Sequence, residues 1–335
     1  MPLAPRLRDY LRQAFQSPAP AFAFDLMIPK DWIWFEKDGQ PNKVNGRLQL
    51  LAHYGNKEQS SIIEIYAQKI DREMAPEDWL DQWMQANHYT IIARRTVASD
   101  AGRNADVLAS RTIEGRPYLY RLRTFKNGKF IYLLHSFAEE ARYASAEDAF
   151  LVAATSFNLT AAKPQQPYAE ELQDVPLHKV FQVGFKIPSS WTVKPDESVD
   201  AACESWGLSN GSGTDRVGMI NVYTAPRNRF KNAQEIALYA TDAVRKLGID
   251  PTGGTLAEVP IGDPVVSLWT SDSFAKLDDR SMLVRQVVLG TSKGWAIFTL
   301  ISPVAATDPY LVTAINKRAL EIAYIKLLTA SSPTG

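Results

Sequence analysis

Several short runs of the chain alternate apolar and polar residues at period two, and two of them look alike. Phe22, Phe24, Leu26 and Ile28 share one side of a run that ends in Pro29 and Trp32. Phe181, Val183, Phe185 and Ile187 do the same ahead of Pro188 and Trp191. Such alternation marks a strand with one buried face, and the proline ends regular pairing and turns the chain before the tryptophan. Residues 63–67 and 220–224 form a second matched pair of predicted strands. Each is followed by an apolar stripe at helical spacing: Trp79, Leu80, Trp83 and Met84 within 76–87, and Ile236, Tyr239, Ala240, Ala243, Val244 and Leu247 within 233–247. Pro76 suits a first helical turn and Gly248 a helix stop.

Further along, 118–125 and 130–137 read as a hairpin around Asn127-Gly128, the strongest short-range turn cue. Its counterpart is 282–289 and 295–301 around a 290–294 turn, with Arg285 matching Arg121. Each half closes with a predicted helix, 145–157 capped by Ser145 and 308–328 capped by Asp308 with Pro309 in its first turn. The same order of strand, strand, helix, hairpin and helix therefore occurs twice. It predicts a tandem duplication of one α+β domain, 21–160 and 180–330, joined by a 161–179 linker that carries Pro164, Pro167 and Pro176. Leu7, Leu11 and Phe15, four apart, predict a short amphipathic helix in an N-terminal extension, 1–20.

An alternating strand closed by Ile-Pro-x-x-Trp (Ile28, Pro29, Trp32; Ile187, Pro188, Trp191), then a strand, a helix, a hairpin and a terminal helix, resembles the PsbP-like superfamily. That group contains the PsbP proteins, a Ran-binding import factor, bacterial DcrB-like proteins and chaperones of type VI secretion effectors. The resemblance implies two tandem copies of an antiparallel sheet with helices on both faces, an α/β/α sandwich whose members seldom act as enzymes. Only Pro29, Trp32, Pro188 and Trp191 carry over, as markers of the fold. The calcium or manganese sites of some plant members have no counterpart in these residues.

Composition narrows the classes. The chain has 335 residues, 45% hydrophobic and 22% charged, proportions of a globular protein of about two domains. Its 37 basic and 37 acidic side chains cancel, so no long-range field selects nucleic acid. Cys203 is the only cysteine, which excludes an intrachain disulfide or a zinc site built on several thiolates. No run approaches the ~18 apolar residues of a membrane span. The opening residues lack a secretory pattern, so the expected compartment is the cytoplasm, or the periplasm or envelope if a signal has been removed.

Candidate chemistry is sparse. His53, His88, His135 and His178 lie in no triad-like spacing, and His135 reads as a structural imidazole in a strand. No ligand cluster predicts a metal and no motif a cofactor; Asn210-Gly211-Ser212-Gly213 lacks the Lys-Ser/Thr of a phosphate cradle and reads as a loop. Two sets of residues stand out for partner binding. Trp34, Trp79 and Trp83, with Trp32, can line an apolar surface, core packing being the alternative. Arg121 and Arg123, on one strand face near Arg111 and Arg116, and the matching Arg285, can dock an acidic partner, a solvated face being the alternative. The expectation is a non-enzymatic binding or assembly protein, its two copies forming a pseudo-dimer that holds a peptide or protein partner, in its sharpest version a secretion chaperone. An envelope-associated component of a larger complex is the alternative, and a hydrolase with an unrecognised site a third reading.

Overall fold

A computed structural model describes residues 6–17, 20–35, 43–44, 48–99, 102–160, 167–197, 200–211, 217–261, 266–277, 279–304 and 312–331. The chain divides into two compact units, one of residues 1–71 and 75–169, the other of 72–74 and 170–335. Both are α+β, built on antiparallel sheets.

In the first unit β1 (Tyr10–Phe15), β2 (Phe24–Pro29) and, at its end, β11 (Asn158–Leu159) form a small sheet. The main sheet is assembled from β3 (Ile33–Trp34), β4 (Lys43–Val44), β5 (Leu48–Gly55), β6 (Ser61–Lys69), β7 (Thr90–Ser99), β8 (Gly102–Ile113), β9 (Arg116–Asn127) and β10 (Phe130–Glu139), with helices α1 (Pro76–Ala86) and α2 (Glu140–Ser156). Its strand order is β3-β5-β6-β10-β9-β8-β7, with β4 beside β5. Period two sorts its side chains. Ile63, Ile65, Ala67, Tyr132 and Leu134 face Phe150 and Ala153 of α2, and each fully buried isoleucine or leucine among them contributes about 1.5–3 kcal/mol. Their neighbours along the strands face α1.

The second unit contains β12 (Leu172–Val175), paired with β13 (Phe185–Pro188), then β14 (Trp191–Pro195), β15 (Glu204–Asn210), β16 (Gly218–Pro226), α3 (Ala233–Arg245), β17 (Ala257–Val259), β18 (Ser267–Leu277), β19 (Arg280–Gly290), β20 (Gly294–Pro303) and α4 (Val312–Ser331). Its sheet order is β14-β15-β16-β20-β19-β18-β17. Strand for strand, this is the order of the first sheet. Ile220, Val222, Phe298 and Leu300 pack on Ala319, Leu320 and Ala323 of α4, and Tyr223, Val288 and Ile297 on Ile236, Ala237 and Ala240 of α3.

Local signals explain much of this. Asn127-Gly128 opens the β9–β10 turn with Gly128 at φ +54°, a conformation that costs glycine little. Pro76 occupies the first turn of α1, and the Asn232 side chain caps α3 by accepting from the Glu235 N–H.

Four expectations are corrected. The N-terminal helix is instead a short 3-10 turn, Arg6–Asp9, followed by β1. The four-residue spacing fits a helix, but β2 offers a ladder of six paired residues, with Phe15 stacked on Phe24 at 5.0 Å and Arg12 bonded to Asp25 at 2.7 Å. Helix α2 begins at Glu140, five residues before Ser145, whose hydroxyl donates to the Arg142 carbonyl and caps nothing. The predicted 161–179 linker contributes to the second unit where it is described: 172–175 form β12, and Val175 and Leu177, on either side of Pro176, are buried in its core. The strand predicted from Phe181 to Ile187 starts only at Phe185, although Phe181 is buried in the same core. Asp308, Pro309 and the 212–213 part of the glycine-rich loop lie outside the described residues. No helix among the described residues is long and apolar enough to cross a membrane.

Candidate functional site

Antiparallel register places three polar residues side by side across the first sheet: His53 of β5 opposite Glu64 of β6, and Glu64 opposite His135 of β10. They lie on the α1 side and are buried, Glu64 being 9% and His135 8% exposed. His135 Nδ1 donates to Glu64 Oε2 at 3.0 Å, and the Tyr66 hydroxyl donates to the same oxygen at 2.8 Å. His53 Nδ1 stands 3.6 Å from Glu64 Oε1. With its proton on Nδ1, His135 accepts at Nε2 from the Tyr89 hydroxyl, 3.0 Å away.

Aromatic rings close the network. Tyr89 stacks on Trp83 of α1 at 5.2 Å and meets Tyr120 edge-on at 4.9 Å, and the Arg111 guanidinium sits over its ring. Burial pushes the Glu64 carboxyl up, but the His135 hydrogen bond, the electrostatic attraction of the His135 and His53 imidazoles and the Tyr66 hydroxyl together outweigh it and hold Glu64 below the usual carboxylate range. Burial raises the phenols of Tyr66 and Tyr89, and pushes that of Tyr120 up to about 12, so all three stay protonated.

A carboxylate, an imidazole and a hydroxyl in line are the parts of an acid–base relay. Here the hydroxyl end is a packed tyrosine whose proton already meets His135, so the chain of bonds is internally satisfied. What it supplies is a fixed, buried polar centre for the first unit.

Because Glu64 is held ionised, its contribution is present above the carboxylate's ordinary value of 4.5 and is lost as pH falls through its lower value in the folded state. The first unit is therefore expected to lose stability in acid below about pH 4–5. Glu64→Gln should flatten that limb in urea unfolding followed across pH. An unchanged slope would remove Glu64 from the acid response.

The second sheet carries the same row with different chemistry: Gly207 of β15 opposite Asn221 of β16, and Asn221 opposite Thr299 of β20. The two α-helices facing the rows also correspond, since Ala240 follows the start of α3 by as many residues as Trp83 follows the start of α1 (240 − 233 = 83 − 76). Where the first unit has histidine, glutamate, histidine and tryptophan, the second has glycine, asparagine, threonine and alanine. The result is a cleft of about 470 Å³ between α3 and strands β15, β16 and β20. Ser205, Gly207, Ala240 and Ala243 leave the space; Tyr223, Tyr239 and four charged side chains surround it. Burial, followed by the neighbouring Cys203, raises the Tyr223 phenol, whose hydroxyl lies 3.1 Å from Cys203 Sγ.

The residues singled out from sequence occupy several separate places. Trp79 is 1% exposed and stacks on half-buried Trp83 at 6.3 Å in the α1 layer. Trp32 packs edge-on against Phe150 of α2, and Trp34, on edge strand β3, is 53% exposed. The four tryptophans thus share no common surface: Trp32 precedes β3 and packs toward α2, Trp34 stands on an exposed edge strand, and Trp79 and Trp83 belong to the α1 layer. Arg121 donates to Asp106 at 2.6 Å. Arg123 donates to the Ala154 carbonyl near the end of α2, where a cation meets the negative end of the helix dipole, and lies over Phe125. Arg285 grips Asp272 through two bonds of 2.6 and 2.5 Å. Among the described residues no three His, Cys, Asp or Glu side chains gather as a metal site.

Sequence reading misses the His53–Glu64–Tyr66–His135 cluster, whose members lie up to 82 residues apart (135 − 53). The available signal is positional. A strand flanked by helices on both sides has two buried faces, so Glu64 and Tyr66, two apart in β6, must find partners inside.

No family model and no curated protein matches the chain. Among solved structures it is similar to the cyanobacterial PsbP of Synechocystis sp. PCC 6803, at 12% identity and a TM-score of 0.34, over 44% of this chain and 92% of that one. It is similar to the Ran-binding protein Mog1p of Saccharomyces cerevisiae, at 10% identity and a TM-score of 0.32, over 47% and 94%. Over nearly its whole length, 98% of this chain and 100% of that one, it aligns with the type VI secretion immunity protein TplEi of Pseudomonas aeruginosa in complex with an "L" peptide, at 10% identity and a TM-score of 0.24.

Proposed function

We propose that this chain is a non-enzymatic binding protein made of two copies of one domain, and that a protein partner adds a strand to the β7 edge of its first unit. The shared strand order of the two main sheets supports the duplication. The state of β7 supports the binding. It ends the sheet, runs for ten residues, and exposes Ile91 by 46%, Ile92 by 53% and Val97 by 39%. A long edge with uncovered apolar side chains is a pairing template that proteins ordinarily shield, and strand addition is a common way to use one. A bulge between Ile91 and Ala93 limits self-pairing at the start of the strand and leaves 93–99 regular.

Charge suggests the partner's character. The strand's only charges are Arg94 and Arg95; Arg94 is held by Glu77 and Asp81 at 2.9 and 2.8 Å, while Arg95 is exposed. The incoming segment is an extended one that alternates apolar residues with an acidic residue opposite Arg95.

A photo-crosslinking residue at position 92, used in the native host, identifies the partner, and its crosslinked segment is then titrated as a synthetic peptide against the full chain. Arg95→Glu is expected to weaken that peptide by about tenfold or more. Because the position is exposed, stability should change by no more than about 0.5 kcal/mol. Absence of any crosslink at 92, or equal affinity for Arg95→Glu, would overturn the reading. A partner identified as a secreted protein would support the secretion chaperone version.

A further inference from the structure

We infer that the cleft between α3 and strands β15, β16 and β20 of the second unit is a binding site for a small zwitterion, an amino acid or a short peptide. The inference does not depend on the β7 edge, which belongs to the other unit. It begins with an emptied space. At corresponding positions the first unit fills its α1 layer with His53, His135 and Trp83, while the second has Gly207, Thr299 and Ala240. The small residues leave a cleft of about 470 Å³ that opens to solvent, with Tyr239, Ala243 and Lys246 exposed at its rim. The volume falls in the range of small-molecule sites.

The lining chooses the ligand. Asp196 and Asp200 bring negative charge, Arg229 and Lys246 positive charge, to the same cleft. Asp200 and Arg229 are 3.7 Å apart, each with about half of its side chain exposed, a separation too long for a tight hydrogen-bonded pair. A simple anion or cation would satisfy one sign and face the other. A molecule with an ammonium and a carboxylate at its two ends meets both. Asn221, in the row position that Glu64 fills in the first unit, also lines the cleft. Its amide both donates and accepts, as a peptide bond between the two charged ends requires. A neutral sugar would use the amide and make no use of the charge on Lys246 or Arg229.

Gly207 provides the decisive variant. A Cβ built there meets only the Lys194 carbonyl oxygen, at 3.9 Å, and the backbone is not in the left-handed region, so a side chain can enter the cleft without disturbing the strand. Trialanine is titrated calorimetrically into the full chain, beside N-acetyl-trialanine, trialanine amide and maltose. Free trialanine is expected to bind, and blocking either terminus to weaken it by about tenfold or more. Gly207→Phe should abolish binding while circular dichroism stays unchanged; if that variant folds poorly, Arg229→Gln should weaken trialanine but leave the amide's affinity the same. No heat with trialanine at millimolar concentration, equal affinity for capped and free forms, or maltose bound in the cleft would each overturn the inference.

Discussion

Replacing His135 with alanine is expected to cost the first unit about 2–5 kcal/mol, because it leaves a buried carboxylate and a buried hydroxyl each short of a hydrogen-bond partner, at about 1–3 kcal/mol apiece. Glu64 would keep the Tyr66 hydroxyl and His53 but lose its shortest imidazole contact, the 3.0 Å bond from Nδ1. The Tyr89 hydroxyl would lose its acceptor, and a void would open beside Trp83, Tyr120 and Phe137, whose rings lie 5.2–5.8 Å from that of His135. The design of the control follows from the same physics. Replacing both His135 and Glu64 with leucine removes the charge together with its partner, and such swaps are often neutral, so the double variant should recover most of the loss. Urea unfolding with tryptophan fluorescence reports it, since Trp79 and Trp83 lie in this layer. A cost below about 1 kcal/mol for His135→Ala would mean that the network does not hold the unit together.

The parts of this fold that are legible in sequence are those whose apolar period is carried by large side chains. The β9–β10 hairpin announces itself through Phe125, Tyr132, Leu134 and its Asn-Gly turn, and helices α1 and α3 through their aromatic and aliphatic stripes. Strands β5, β7 and β8 are not anticipated. In β8 the buried side is Ala105, Val107 and Ala109, residues too small to stand out from their neighbours. The period of β5 is broken by an irregular register between Leu50 and Ala52. Strand β7 has almost no buried side and so no alternation to read. The sites are hidden for a related reason. A row such as His53–Glu64–His135 exists only once the register between strands is set, and register depends on pairings that one strand's pattern does not contain. The counterpart row is harder still to anticipate, because its meaning lies in the smallness of Gly207 and Ala240.

Substitution of Trp295 tests the second unit in a graded way. The side chain is 1% exposed, its Nε1–H donates to the Arg227 and Phe230 carbonyls at 3.3 and 3.1 Å, and the Arg227 guanidinium lies 3.8 Å from a ring centroid. Trp295→Ala removes all of this and leaves a large cavity, for an expected loss of about 3–5 kcal/mol. Trp295→Phe keeps much of the apolar volume but leaves the two carbonyls without their donor, and should cost less, about 1–3 kcal/mol. Gly290 is the third member of the series. It sits opposite Trp295 across the β19–β20 ladder, and a Cβ there would come within 2.7 Å of the indole and 3.1 Å of Trp269. Gly290→Ala should therefore destabilise the unit although it adds apolar surface, since two of the three crowded atoms, the closest included, belong to rigid rings. Combining Gly290→Ala with Trp295→Phe relieves that crowding, and the double variant is expected to be more stable than the sum of the two losses. Strict additivity in urea unfolding of the full chain would show that the indole does not dictate glycine at position 290.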